Sequence, residues 1–472
     1  MQRYSPFDKA IHDLQPPDLT ILKNVHEGWY VEYKRQMVKA SALAKSLSAF
    51  ANTYGGWLFI GVQEQSGDNA VAGEFPGIPK EDVDGTLQSL RHSAADHLNP
   101  TPFFETTVLR GPCNENGLAE GKAIIAVEIP QSHTAPHVHK DGRIYRRVAD
   151  GSEPKPETDR FVLDQLWRRA EPIRERTRKW IERDPELSQA EEEMPYVRLL
   201  LCVDPWRQRN PWLGAPLSEI RRILKGGETI VYSVPFDTIY TTAEGLTARQ
   251  LKGNDPANYG LTWRLRRDMS CDIILPLQLH APDVPDYLIG EFDGYIYAKR
   301  FIDMLNEQGH TQPRIADLNF MFNLLLAIVS QYRHLLKLAG AGGEFYCKAR
   351  VLNAWWMVPF VDVETLLDEF KAHGLPMVMD RTVTVPTGDD PESFVRIYEK
   401  LEPKGAEDKE LTFITLQAIR IFILVVPAFG VPIYIESETE ADSTARLYSE
   451  LVDIGARALT VQQNRNKRRT RV

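Results

Sequence analysis

The chain has 472 residues, more than one hydrophobic core normally organises, so two or three domains are expected. A formal net charge of −9 argues against a bulk attraction for polyanions and leaves that task to local basic patches. The four cysteines, Cys113, Cys202, Cys271 and Cys347, form no CxxC pair, which argues against a disulfide scaffold or a Cys-rich zinc finger and predicts a reduced, cytoplasmic protein.

The first 20 residues, with Pro16 and Pro17, read as an arm. From 21 to about 170, short strands and helices alternate, predicting an α/β domain with a mixed sheet and two main helices. Alternation over 26–34 puts Glu32 and Lys34 on one face of a strand and Val31 and Tyr33 on the other. Leu43, Leu47 and Phe50 repeat at helical spacing over 41–53, and Gly55 and Gly56 end that helix. A buried strand is expected at 57–62, a second helix at 81–98, and strands at 103–109, 123–129 and 143–148. A charged helix over 161–183, kinked at Pro172, leads through a linker (171–195) that turns acidic before Pro195.

Residues 196–460 predict a larger α+β region, a candidate sensor or regulatory domain. Its strands fall at 196–203, 229–234, 259–265, 271–279, 344–352 and 355–358. A long core helix is expected at 314–338, Asp362 as the N-cap of a short helix, and further helices at 411–426 and 441–459. The basic tail, 461–472, carries Arg465, Lys467, Arg468, Arg469 and Arg471, suited to phosphate contact or simply to a solvated end. The longest apolar run, 421–435, is interrupted by Pro427, Gly430 and Pro432 and falls short of the ~20 residues of a membrane span, so no membrane partner is expected.

Glu27 and Glu32 stand on the first strand, and Glu64 follows the end of the buried one. If those strands are neighbours, three carboxylates can converge beside Lys34, a cluster that suits Mg2+ or Mn2+ because these hard cations prefer oxygen. Such an ion would polarise a phosphodiester and activate water, while Lys34, with Arg35 or Arg146, would neutralise the phosphate. The plain alternative is three solvated strand-end carboxylates. Arg143, Arg146 and Arg147 around Tyr145 suit phosphates and base stacking, or else form a strand with ion-paired edges. His133, His137 and His139 match no standard zinc spacing and read as a loop. Gly56 and Gly61 have P-loop spacing, but Val62 stands where lysine is required, so no nucleotide cofactor is expected.

The segments EGWYVEYKR (27–35), SAFANTYGGWLFIGVQE (48–64), SHTAPH (132–137) and DGRIYRRVADGS (141–152), in this order, resemble the Schlafen-type AlbA domain. The resemblance covers the first third of the chain, 21–170, and implies an AlbA-like fold with a nucleic-acid partner, RNA first and DNA second. In ribonuclease members the acidic site is a Glu, a second Glu five positions on, and a later Asp. Glu27 and Glu32 match the first two, and Glu64 stands where Asp is common. That implies a metal-dependent endoribonuclease, with transfer RNA as a target class and bacterial immunity (antiviral defence) as a setting. Other members are described only as DNA-binding, which leaves a non-catalytic DNA/RNA-binding regulator whose C-terminal region senses a partner or ligand. Vertebrate members close two such lobes around RNA; one lobe here implies a homodimer.

Overall fold

Strand β1 (Val31–Lys34) runs parallel to β2 (Gly55–Ile60), and helix α1 (Ala40–Asn52) supplies the crossover that a parallel pair requires. This is a computed structural model, and it describes residues 4–9, 11–65, 70–148, 153–206, 215–227, 232–399, 409–432 and 440–469. The chain divides into two units, 1–175 and 176–472. After β2 come β3 (Gln63–Glu64), β4 (Ala72–Glu74), β5 (Ile78–Pro79), helix α2 (Val83–His97), β6 (Leu98–Asn99), β7 (Glu105–Arg110) and β8 (Lys122–Pro130). The main sheet has the order β1–β2–β8–β5, with β7 antiparallel along the other edge of β8.

Both faces of this sheet are covered. Leu58, Ile60, Ile125 and Val127 pack beneath α1 and α2. The alternate residues Val31, Tyr33, Trp57, Phe59 and Ile124 meet Phe7, Ile11, Leu14, Leu19 and Leu22. Residues 11–24 are therefore not a free arm: Leu19 and Leu22 are fully buried and close the second face. Downstream, β9 (Val138–His139) pairs with β6, and the strand expected at 143–148 shortens to β10 (Tyr145–Arg146), paired with β11 (Lys155–Pro156). In place of one kinked helix there are two, α3 (Arg160–Trp167) and α4 (Glu171–Glu182). Pro172 lies in the first turn of α4, where its missing N–H leaves no bond unmade.

The second unit is built on β12 (Tyr196–Cys202), followed by α5 (Leu217–Leu224), β13 (Thr238–Thr241), β14 (Gly245–Arg249), β15 (Thr262–Arg266), β16 (Cys271–Pro276) and β17 (Gln278–His280). Next come α6 (Leu288–Glu291), α7 (Ala298–Glu307), β18 (Arg314–Asp317), α8 (Asn319–Leu338), β19 (Phe345–Leu352), β20 (Met357–Phe360) and α9 (Glu364–His373). Then follow β21 (Thr382–Val385), β22 (Val395–Ile397), α10 (Lys409–Val425) and α11 (Glu440–Arg469). An antiparallel sheet ordered β13–β14–β15–β16–β12–β19–β21, with β22 also on β19, lies against α8. Val197, Leu199 and Leu201 face that core, while Arg198 points the other way and donates to Asp272 at 2.7 Å and to the last carbonyls of α4, Trp180 O and Ile181 O, each at 2.8 Å.

Several expectations shift here. The core helix begins at Asn319, because 314–317 pair as a strand. Of the strand expected at 229–234, residues 229–231 lie outside the described residues and 232–234 form no strand. Val363, not Asp362, is the N-cap of α9; the buried Asp362 carboxylate accepts the N–H groups of Ile296 and Tyr297 and pairs with Arg457 at 3.1 Å. By length and composition, Lys409–Phe429 could cross a membrane, yet half of it is buried, and Gln417 accepts a hydrogen bond from Arg333 on α8 at 3.1 Å.

The basic stretch after 460 continues α11 to Arg469, with Arg465 turned inward and Lys467 and Arg468 exposed, Arg471 lying outside the described residues. Arg465 donates to Gln278 Oε1 at 2.7 Å and to the buried Asp317 carboxylate at 3.3 Å; Arg468 pairs with Asp293 at 2.8 Å. Arg465→Ala leaves Asp317 without its guanidinium and is expected to cost about 3 kcal/mol. Urea unfolding checks this, and an unchanged midpoint would show that the contact contributes nothing.

Candidate active site

Glu32 and Lys34 leave β1 on the same face because strand residues alternate, and that face meets α1. Glu32 Oε1 accepts the Ser46 hydroxyl of α1 at 2.8 Å and lies 2.9 Å from Lys34 Nζ. Its Oε2 accepts Arg147 Nη1 at 2.8 Å. Glu32 and Arg147 are both buried, their side chains 3% and 0% exposed. Arg147 Nε donates to Gly28 O at 2.9 Å, Nη2 reaches Gly28 O and Val31 O, and the guanidinium stands 4.5 Å from the centre of the Phe50 ring. Burial pulls the Arg147 pKa below its ordinary value, and the charge of Glu32 opposes that pull.

The AFANTYGG segment builds this arrangement. Phe50 carries the guanidinium, and Thr53 Oγ1 accepts the Arg147 backbone N–H at 2.9 Å while donating to Ala49 O. Asn52, fully buried, donates to the carbonyls of His137 (3.1 Å) and Tyr145 (3.0 Å) and accepts the His137 N–H at 2.8 Å. Gly55 has φ +77, and a Cβ on Gly56 would lie 2.5 Å from the Phe50 ring and 2.6 Å from Tyr30 O, so only glycine lets β2 start here. Arg169 closes the end of α1, donating to Asn52 O at 2.7 Å and to Ser132 O at 3.1 Å. Burial brings its pKa down to about 10.

Glu27 completes the acidic group. Its Oε1 accepts the Tyr33 N–H at 2.9 Å and lies 3.9 Å from Lys34 Nζ, with the side chain only 5% exposed. Burial pushes its pKa up to about 7; the Tyr33 amide and Lys34 pull down, and Glu32 and Glu64 push up. Glu64 sits exposed on β3, next to β4; the chain leading into β4 bridges back to His26 and accepts the Glu27 N–H at Ala70 O. Segment 70–72 thus joins two glutamates far apart in sequence.

Glu27 and Glu32 both approach Lys34, and Glu64 adds negative charge near Glu27. Among the described residues, no group of three His, Cys, Asp or Glu side chains could hold a metal ion. Glu32 already receives Ser46, Lys34 and Arg147, so an ion binding there would have to displace one of them. His133, His137 and His139 likewise form no metal group. His139 instead meets Asp141 at 3.0 Å, and His137 Nδ1 meets Pro100 O at 2.6 Å.

The expected phosphate-facing residues divide. Arg35 and Arg143 are exposed, Arg146 is partly buried and bound to Glu157 at 2.6 Å, and Tyr145 and Arg147 are buried. Tyr145 donates its hydroxyl to Asp141 at 2.7 Å, with Lys45 over its ring, so it is not a free stacking platform. Alternation accounts for the difference: Tyr145 and Arg147, two apart, turn inward together while Arg146 turns outward. Ser46, Asn52 and Arg169 were not read as site residues. For Ser46 the signal was available, as a hydroxyl on the apolar face of α1.

Glu32→Ala strands a buried guanidinium and is expected to cost about 3–5 kcal/mol, read as a lower urea midpoint. Glu27 gives a pH signature. With a pKa near 4.5 unfolded and about 7 folded, the folded chain holds the extra proton across that window and loses stability as pH rises through it. Glu27→Gln, neutral throughout, should melt with wild type at the acid end and above it beyond pH 7. Parallel melting curves at both ends would refute the assigned shift.

Residues 27–156 match the sequence profile of the family described as Schlafen, AlbA_2. Two solved structures share local likeness. The N-terminal domain of a RecG-related protein of Nitrosomonas europaea is 23% identical, over 30% of this chain and 89% of that one, with a TM-score of 0.22. The DIP2311 protein of Corynebacterium diphtheriae is 14% identical, over 41% of this chain and 29% of that one, with a TM-score of 0.18. No curated protein matches. The family match is confined to the N-terminal third of the chain, and the region after it has no family match.

Proposed function

We propose that the N-terminal unit acts on nucleic acid, with RNA as the expected substrate, and that Glu27 and Lys34 are its reactive pair. The observation that carries this is Lys34, whose side chain is 32% exposed and whose ammonium stands between two nearly buried carboxylates, 2.9 Å from Glu32 and 3.9 Å from Glu27. A carboxyl that titrates near neutrality is suited to general acid–base catalysis. Glu27 takes the proton of an attacking hydroxyl as the hydroxyl oxygen bonds to phosphorus. The bond from phosphorus to the leaving oxygen breaks, Glu27 returns the proton to that oxygen, and Lys34 balances the charge that grows on the phosphate. The Ser46, Arg147 and Glu32 contacts position Lys34. On this reading the protein is an endoribonuclease, with transfer RNA as a target class, an immune role as its setting and a homodimer as its working form. Mg2+ or Mn2+ is assigned no step.

One observation favours a second reading, a non-catalytic DNA/RNA-binding regulator: the contacts of Glu32 with Ser46, Lys34 and Arg147 hold the fold together. Structured RNA incubated with wild type and Glu27→Gln, with Mn2+ or with a chelator, separates the two. The first reading expects cleavage that falls about 100-fold in Glu27→Gln with RNA affinity unchanged. Salt-sensitive binding without cleavage by wild type in any condition would leave the regulator.

A further inference from the structure

Helix α3 ends on Trp167, whose indole is 63% exposed, an unusual placement for the largest apolar side chain. It borders an open cleft of about 540 Å³, a size suited to small ligands. Also lining the cleft are His97, Asn99, Thr134, His139 and Lys140. The two imidazoles stack with ring centres 5.8 Å apart and planes at 26°, and Lys140 Nζ lies 3.2 Å from His97 Nε2. Burial, with Lys140 and His139 nearby, holds the His97 imidazole below its usual pKa.

We infer that this cleft takes an unpaired base of a single-stranded nucleic acid, stacked on Trp167 with its phosphate toward Lys140. The inference rests on the proposed nucleic-acid role and specifies where the strand is held. A flat apolar surface, the imidazole edge of His97, the amide of Asn99 and one ammonium are together the chemistry of a nucleotide. His139, bonded at both ring nitrogens, backs the His97 ring. Asp96, the one carboxylate among the lining residues, repels phosphate and leaves Lys140 as its partner. A base inside a duplex cannot enter a cleft, so paired strands are excluded. Helix α1 connects the cleft to the acidic site: Ser41 meets His139 Nε2 at 3.2 Å and Ser46 meets Glu32. Five residues of helix separate those contacts by about 7.5 Å along its axis, a spacing that one strand can cover.

Fluorescence anisotropy of the full chain with labelled oligouridylate, and with a blunt duplex of equal length, tests this. Trp167→Ala should weaken single-strand binding about 5- to 100-fold and leave duplex binding as it was; Trp167→Phe, which keeps a ring, should retain most of the affinity. Trp167 is exposed, so the substitution spares the core. Wild-type binding that Trp167→Ala does not weaken sinks the cleft but leaves the nucleic-acid role standing. If wild type binds neither probe, both fail.

Discussion

Taking a guanidinium and a carboxylate out of water costs several kcal/mol for each ion, and Arg147 and Glu32 recover that only through geometry. Glu32 accepts from Arg147, Ser46 and Lys34, and Arg147 donates further to Gly28 O and lies on Phe50. These partners come from β1, α1, the segment before β1 and the segment after β10. One ion pair therefore ties together pieces that secondary structure alone leaves independent. Loss of either charge would strand the other, which makes the pair a demand for specificity more than a source of net stability.

The same pairing explains the unusual electrostatics beside it. Arg147 neutralises Glu32, so Lys34 is the remaining close ammonium for Glu32 and Glu27, with Glu64 adding negative charge from β3. Two carboxylates that share one cation in a dry setting cannot both ionise cheaply. The proton goes to Glu27, whose side chain is buried and whose charged form has one backbone N–H and a distant ammonium to stabilise it. Lys34, held at its ammonium by Glu32, keeps part of its side chain in solvent.

Much of this was legible in the residues. Period-two alternation over 31–34 put Glu32 and Lys34 together, and the helical spacing of Leu43, Leu47 and Phe50 gave α1 its apolar face. Gly55 and Gly56 marked a turn because nothing else fits there. What escaped was the direction of charge. The arginines around Tyr145 suit either phosphate contact or an ion-paired strand edge; Arg146 with Glu157 follows the second, and Arg147 turns into the interior instead. Alternation could have warned that Arg146 and Arg147 face opposite ways. No local signal could have paired Arg147 with Glu32, 115 residues away, or Arg465 with Asp317, 148 residues away. The arm failed for a related reason: Leu14, Leu19 and Leu22 look sparse until a sheet face lacking a cover is known.

The second unit repeats the inward use of arginine. Arg198 binds Asp272, Arg333 binds Glu399 and Glu410, Arg457 binds Asp362, and Arg465 binds Asp317. In a chain with 65 acidic and 56 basic residues, each guanidinium committed to the interior is one fewer for a polyanion. On the proposed reading, phosphate contacts draw on Lys34 and on exposed cations of the N-terminal unit such as Arg35, Lys140 and Arg143. Selectivity then has to come from groups that read something other than charge. In this unit those are the exposed indole of Trp167, the imidazole stack beside it and the proton held by Glu27.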